Sequence, residues 1–309
     1  MQRFASIDVG SNTLRLLIAE NAASGPPRPI QIERRITRLG EHFLPTRTLQ
    51  PRPIARSIAA MKEFSQFMAQ QGVSWYRAGA TAVVREAING PQFLRMVEAQ
   101  AGLQVRLLSS SEEAHLSFLG VTSVLANAEA LTTVFDIGGG STELVWQVVG
   151  RSDTAESCSL PLGVVHLTEA FLQEDPPGVP ACGRLRRHVE IVLEKLNLAE
   201  RLLGANWVGT AGSVTTLASM HLGLEAYDPD RINGVVLRKD WLADLCNSLA
   251  HKSLAMRSKI PGLEPGREDI ILAGALITLQ LMDSFGVSQF AVSDAGLLEG
   301  LFLDLCQSL

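Results

Sequence analysis

The segment Asp136-Ile137-Gly138-Gly139-Gly140-Ser141-Thr142-Glu143 sets two carboxylates on either side of three glycines and a hydroxyl. Glycines let a backbone approach a ligand with no Cβ in the way. Successive N–H groups in such a turn can line an anion-binding hollow. Asp136 ends an apolar stretch, where it can hold Mg²⁺ through water, because that ion dehydrates reluctantly. Glu143 returns on the next stretch and can orient metal or water. A tight hairpin with a polar tip is the plainer reading, and it needs only one or two such residues.

Asp8-Val9-Gly10-Ser11-Asn12-Thr13 repeats the order Asp, β-branched, Gly, two residues, hydroxyl, with Arg15 just beyond. Alone, an Asx turn explains it nearly as well. Paired with its repeat it becomes a second phosphate-facing turn. Gly209-Thr210-Ala211-Gly212-Ser213 follows an apolar strand and opens a helix. The free N–H groups and dipole of a helix start attract phosphate, which makes Thr210, Gly212 and Ser213 candidate contacts. An ordinary strand-to-helix turn capped by a hydroxyl reads equally well. It is no Walker loop, since the GK[ST] ending is missing.

Glu112 and Glu113 follow Ser109-Ser110-Ser111. Ser110 and Glu113 have the spacing of a capping box, so spacing alone makes Glu113 a cap rather than a catalyst. Arg85, Arg257 and Arg267 carry forks that match phosphate oxygens, although a lone arginine is usually a solvated surface charge.

Alternation and breakers place strands at 4–8, 13–20, 30–39, 75–80, 104–108, 131–136, 142–149, 205–209 and 288–292, with a turn at 24–30. Helical periodicity falls at 54–71, 111–126, 183–203, 213–222, 239–250, 268–285 and 295–307, with a further helix opening at Pro91. Hairpins precede helices, twice over. That predicts an α/β chain of two similar lobes facing each other across a cleft. They span 1–124 and 125–296, with the final helix at about 297–309 returning to the first.

At 309 residues, with 46% hydrophobic and 19% charged, the chain can fill two cores. A net charge of −5 disfavours a duplex nucleic-acid binder, yet arginines that converge locally can still bind a small polyanion. No apolar run is long enough to span a bilayer, and Asp8 and Arg15 interrupt the apolar start, so a signal peptide is not expected. A cytoplasmic protein without a membrane partner follows. The four cysteines form no CxxC pair, which points to reduced thiols.

These pieces, in this order, resemble the exopolyphosphatase/guanosine pentaphosphatase family of the actin/Hsp70/sugar-kinase superfamily. Asp8–Thr13 is similar to its opening motif, Arg38-Leu39-Gly40-Glu41 to its RLGE segment, and Thr81–Asn89 to its T-x-x-x-R-x-A-x-N pattern. Ser110–Gly120 resembles its SGxEEA helix, and Asp136–Glu143 matches its DIGGGSTE signature residue for residue. Leu160-Pro161-Leu162-Gly163, the loop from Arg257 to Arg267 and Ser293–Gly300 resemble its later segments.

The resemblance implies two ribonuclease H-like lobes and hydrolysis of terminal phosphate from inorganic polyphosphate, guanosine pentaphosphate or both. It implies Mg²⁺ or another divalent ion such as Mn²⁺, with room for a monovalent cation and a homodimer. Glu113 becomes the base, with Glu112 as fallback. Asp136, Asp8 and Glu143 become metal ligands. Ser11, Asn12, Thr13, Arg15, Arg85, Gly138, Gly139, Gly140, Ser141, Thr210, Gly212, Ser213, Arg257 and Arg267 become phosphate contacts. Two positions depart from the pattern: Ser110 stands where the family has Gly, and Leu298 where it has Arg. The chain resembles a short form of the family; longer relatives carry an extra C-terminal helical domain that extends the polyphosphate channel. A kinase or ATPase of the same superfamily and a non-catalytic sensor are the competing readings.

Overall fold

A computed structural model of the chain describes residues 2–20, 27–44, 46–124, 131–148 and 155–309. It divides into two compact units, Met1–Ala126 with Ala295–Leu309, and Asn127–Asp294.

The first unit opens with β1 (Arg3–Val9), β2 (Thr13–Glu20) and β3 (Arg28–Ile36). Then come α1 (Pro51–Gln70), β4 (Trp75–Ala80), α2 (Ala82–Glu86), α3 (Gly90–Ala101), β5 (Arg106–Leu107) and α4 (Ser110–Thr122). Its five strands lie in the order β3-β2-β1-β4-β5. β1 is antiparallel to β2 and parallel to β4, a central strand buried from Phe4 to Val9, Ser6 and Asp8 included.

The second unit contains β6 (Leu131–Ile137), β7 (Thr142–Val148), β8 (Glu156–Leu160), α5 (Val164–Phe171), α6 (Gly178–Glu194), β9 (Asn206–Thr210) and α7 (Ala211–Leu222). It continues with α8 (Pro229–Ile232), β10 (Val236–Arg238), α9 (Lys239–Ala250), α10 (Leu254–Arg257), α11 (Ile271–Ser284) and β11 (Gln289–Val292), and α12 (Leu297–Gln307) follows. The strand order is β10-β11-β9-β6-β7-β8. β6 is antiparallel to β7 and parallel to β9. Each sheet is therefore a three-strand meander whose first strand takes a parallel neighbour on its other side. The repeat seen in six residues extends through the sheet topology of both units.

Several boundaries move for local reasons. α1 begins at Pro51 rather than residue 54, because Pro51 and Pro53 both fit a first turn, where no intrahelical donor is needed. The turn expected at 24–30 is a strand from Arg28 onward, while 24–26 lie outside the described residues. Proline is tolerated there because β3 is an edge strand. α6 runs Gly178–Glu194 rather than 183–203, and the chain turns through Asn197 in a left-handed backbone. The end of the helix expected at 111–126 and residue 149 of the strand expected at 142–149 also lie outside the described residues. The short elements α2, α5, α8, α10, β8 and β10 carry too few residues to display a period. α11 is apolar all round because it is buried along nearly its whole length.

The last helix packs in the first unit, against α4 and β1. Leu298, Phe302 and Leu305 join Phe4 and Leu17 in one buried cluster. Leu298, where the family pattern has arginine, is core at 1% exposure. The crossing of α4 and α12 is close. A Cβ on Gly300 would fall 1.8 Å from the Leu116 carbonyl oxygen, and one on Gly120 would fall 1.9 Å from that of Gly296. Burial pushes the Cys158 thiol up to about 11 and the Cys246 thiol up to about 12. No helix of the described residues is long and apolar enough to cross a membrane.

Gly300→Ala should force these helices apart and lower stability by about 1–3 kcal/mol, the usual cost of overpacking. A urea titration checks it, and an unchanged midpoint would contradict the crossing.

Candidate functional site

In the first unit, Asp8 stands directly opposite Arg15 on the β1–β2 hairpin. The Arg15 guanidinium donates to its carboxylate at 3.0 Å. Burial pushes the Asp8 carboxyl above its ordinary range, and the Arg15 charge and hydrogen bond pull it back. The turn is closed by Gly10 N–H donating to the Thr13 carbonyl at 3.2 Å. The RLGE segment then packs on it. Thr37 and Arg38 N–H donate to the Asn12 carbonyl at 3.0 and 2.9 Å, and Gly40 N–H donates to that of Ser11 at 2.7 Å. With those carbonyls engaged, the N–H groups of Ser11 and Asn12 meet no backbone acceptor among the described residues, although both residues are buried. Buried amides ask for a partner, and an anion is one.

The Thr81–Asn89 motif separates into anchors. Thr81 N–H donates to the Val9 carbonyl at 3.3 Å. Asn89 exchanges hydrogen bonds with the backbone of Leu49 at 2.8 and 3.0 Å. Arg85 reaches Glu113, with Nη1 2.8 Å from Oε2, and the same nitrogen donates to the Leu108 carbonyl at 2.9 Å. Arg85 is thus in the first instance the partner of a carboxylate.

The capping box is not Ser110–Glu113 but Ser109–Glu112. The Ser109 hydroxyl accepts from Glu112 N–H at 3.2 Å, and Glu112 accepts from Ser109 N–H at 2.8 Å. α4 starts one residue earlier than the spacing suggested, so its third position falls on Glu112. Ser110, in helical backbone at the first position, has no need of the family's glycine. Hydrogen bonds from Ser109 hold the Glu112 carboxyl below its ordinary range, and Arg106 pairs with it at 2.9 Å. The fallback base is therefore a cap. Glu113, buried at 9% exposure, is left for other work.

In the second unit, Gly138 N–H closes the β6–β7 turn on the Ser141 carbonyl at 2.9 Å, the same bond as at Gly10. The first amides of α5, Val164 and Val165, donate to the Gly138 and Gly139 carbonyls at 3.1 and 3.0 Å. Gly163, from the LPLG segment, lies so close that a Cβ there would fall 2.2 Å from the Gly140 carbonyl carbon. These contacts turn the carbonyls toward α5. The N–H groups of Gly139 and Gly140 meet no backbone acceptor among the described residues.

The strand register puts Ser159, Glu143, Asp136 and Thr210 in one row across β8, β7, β6 and β9. Residues opposite each other in a sheet share a face, so this row collects the carboxylates and hydroxyls at one end of it. Glu143, 2% exposed, accepts from the Ser141 hydroxyl at 2.6 Å and the Ser159 hydroxyl at 2.8 Å.

Thr210 leads into α7 through Ala211, whose φ of 69° is uncommon for a residue with a side chain. A Cβ on Gly212 would fall 2.3 Å from Arg267 Nη2, so the guanidinium lies against the first turn of α7. Glu264 pairs with Arg267. A helix start with unsatisfied amides and a buried arginine beside it is suited to phosphate.

Arg257 is a correction. It is 1% exposed, and its nitrogens donate to the carbonyls of Leu249 at 3.0 and 3.3 Å and of Glu268 at 3.2 Å. It pins the loop that delivers Arg267 and does not face phosphate. Sequence reasoning missed Ser159, Gly163 and Glu264 as parts of the site. Gly163 had a signal in LPLG, while Ser159 sits on β8, a strand too short to recognise.

Asp136 and Glu143 offer hard oxygen donors, and the described residues contain no cluster of three or more His, Cys, Asp or Glu. That donor set fits Mg²⁺, which usually takes one or two carboxylates and completes its shell with water and substrate phosphate. Asp8, already paired with Arg15, fits it less well.

Hairpin turns that present amides, a helix start beside an arginine and a duplicated ribonuclease H-like sheet define an actin-like phosphate-handling fold, and solved structures agree. An Aquifex aeolicus member of the Ppx/GppA family superposes with a TM-score of 0.82 at 32% identity, over 99% of this chain and 98% of that one. An exopolyphosphatase-like protein superposes with a TM-score of 0.90 at 27% identity, over 99% of both chains. Exopolyphosphatase 2 of Mycobacterium tuberculosis is 33% identical over 99% of each chain. The chain belongs to the Ppx/GppA phosphatase family, whose model matches residues 17–309. It is a hydrolase acting on phosphoanhydride bonds.

Arg85→Met should strip the buried Glu113 carboxylate of its guanidinium partner and cost about 1–3 kcal/mol, measured by urea unfolding, with Glu113→Gln restoring part of the loss in the double variant. An additive double variant would deny the coupling.

Proposed function

We propose that the protein is an exopolyphosphatase that removes the terminal phosphate of inorganic polyphosphate, with Glu113 as the base. The observation that carries the role of Glu113 is the capping box. It occupies the neighbouring Glu112 and leaves Glu113 buried beside Arg85. The end-to-end similarity to an exopolyphosphatase supports the substrate.

In this reading, the water oxygen attacks the terminal phosphorus while its proton passes to the Glu113 carboxylate. The bridging P–O bond breaks, and the shortened chain leaves with the bridging oxygen. Arg85 holds Glu113 in place. In the first unit the amides of Ser11 and Asn12 would bind phosphate oxygens; in the second, those of Gly139 and Gly140, the first turn of α7 and Arg267 would do so. Phosphoryl transfer depends chiefly on such positioning and electrostatics. Asp136 and Glu143 would hold Mg²⁺, which supplies charge neutralisation at the phosphate oxygens. Guanosine pentaphosphate hydrolysis is the second reading the resemblance implies, and the same groups would serve that substrate.

Purified protein with Mg²⁺ should release phosphate from polyphosphate, and Glu113→Gln should slow it by about 10²–10⁴. Chelation by EDTA should abolish release and added Mg²⁺ restore it. Release from guanosine pentaphosphate alone would move the assignment to the nucleotide, and tight binding without release would leave a sensor.

A further inference from the structure

We propose that the cavity walled by β4, β5 and the start of α4 is a binding site for an aromatic ring carrying a phosphate, a ligand of the nucleoside monophosphate class. The cavity measures about 740 Å³, well within the range of small-molecule sites. All of its wall belongs to the first unit. It does not contain Glu113, Arg85 or either glycine turn, so the inference stands apart from the proposed reaction.

Two guanidinium groups face it from neighbouring parallel strands, Arg77 of β4 and Arg106 of β5. Burial, and then the positive charge of Arg106, makes Arg77 easier to deprotonate than usual. Each arginine has an internal partner. Arg106 pairs with Glu112 at 2.9 Å, and Arg77 pairs with Asp304 and donates to the Ser308 hydroxyl at 3.0 Å. These carboxylates balance the charge and also line the cavity, so a phosphate there would compete with them for the two guanidinium groups. A phosphate dianion can bridge two such forks with paired hydrogen bonds, which a single carboxylate cannot do.

The ring has a platform. Trp75 lines the cavity and is 54% exposed, whereas Trp146 and Trp207 are each 8% exposed. An indole left in water beside arginines is suited to stacking with a planar base. His115, exposed on α4, adds a polar edge. The Tyr76 hydroxyl accepts from Gln104 N–H at 2.8 Å, which fixes the wall between strand and loop.

The test is titration of the full chain with GMP and AMP, read by tryptophan fluorescence and calorimetry without polyphosphate. One-to-one binding with quenching is expected. The double variant Arg77→Gln/Arg106→Gln and the exposed-site variant Trp75→Leu should each weaken it by about tenfold or more, and Trp75→Leu should also remove the quench. Arg267→Gln should leave binding unchanged, and inorganic phosphate alone should bind about tenfold more weakly. No saturable binding overturns the proposal. So does binding lost in Arg267→Gln but kept in both cavity variants, which would place the nucleotide in the second unit, and so does phosphate binding as tightly as GMP.

Discussion

One hydrogen bond, made twice, constrains the rest: a glycine amide closing on the carbonyl of the residue three positions later. Gly10 makes it to Thr13 and Gly138 to Ser141. A Cβ at these glycines would stand 3.0 and 3.2 Å from the same carbonyls, too close for comfort. The closed turn leaves two amides at its tip. Neighbouring segments then claim the remaining carbonyls, RLGE in the first unit and the start of α5 in the second. The tip is left with donors and few acceptors, which is a preference for anions written in backbone. The two copies differ across the hairpin. Asp8 faces Arg15, an internally balanced pair, whereas Asp136 faces a second carboxyl group, that of Glu143.

A second division of labour lies within two adjacent residues. Glu112 and Glu113 are chemically alike, and a shift of one residue in the start of α4 decides their fates. The capping box and Arg106 hold Glu112 as an ionised structural group. The neighbouring side chain, about 100° around the helix axis, turns inward to Arg85. Helix start, strand end and arginine are tied through Leu108, whose carbonyl accepts from Arg85.

Much of this was legible in the residues. The duplicated Asp-x-Gly motif foretold duplicated hairpins, and the strand at 75–80 and the helix at 239–250 lie where periodicity put them. The illegible parts share a cause. The Ser109–Ser110–Ser111 run offers several caps at similar cost, so spacing could not choose the register of α4. Arg257 and Arg267 look alike in sequence, ten residues apart in one loop. Only tertiary packing sends one to backbone carbonyls and the other to the turn of α7. The row Ser159-Glu143-Asp136-Thr210 depends on strand pairing across more than 70 residues, which no local pattern encodes.

The return of α12 makes the first unit discontinuous, with the second inserted between α4 and α12. During synthesis, Asn127–Asp294 is a contiguous stretch that can fold as it emerges from the ribosome. The first unit must wait for residues 295–309, with the apolar faces of α4 and β1 uncovered meanwhile. Domains generally fold as units, and this one is complete only where its two separated segments meet, at the crossing that Gly120 and Gly300 keep close.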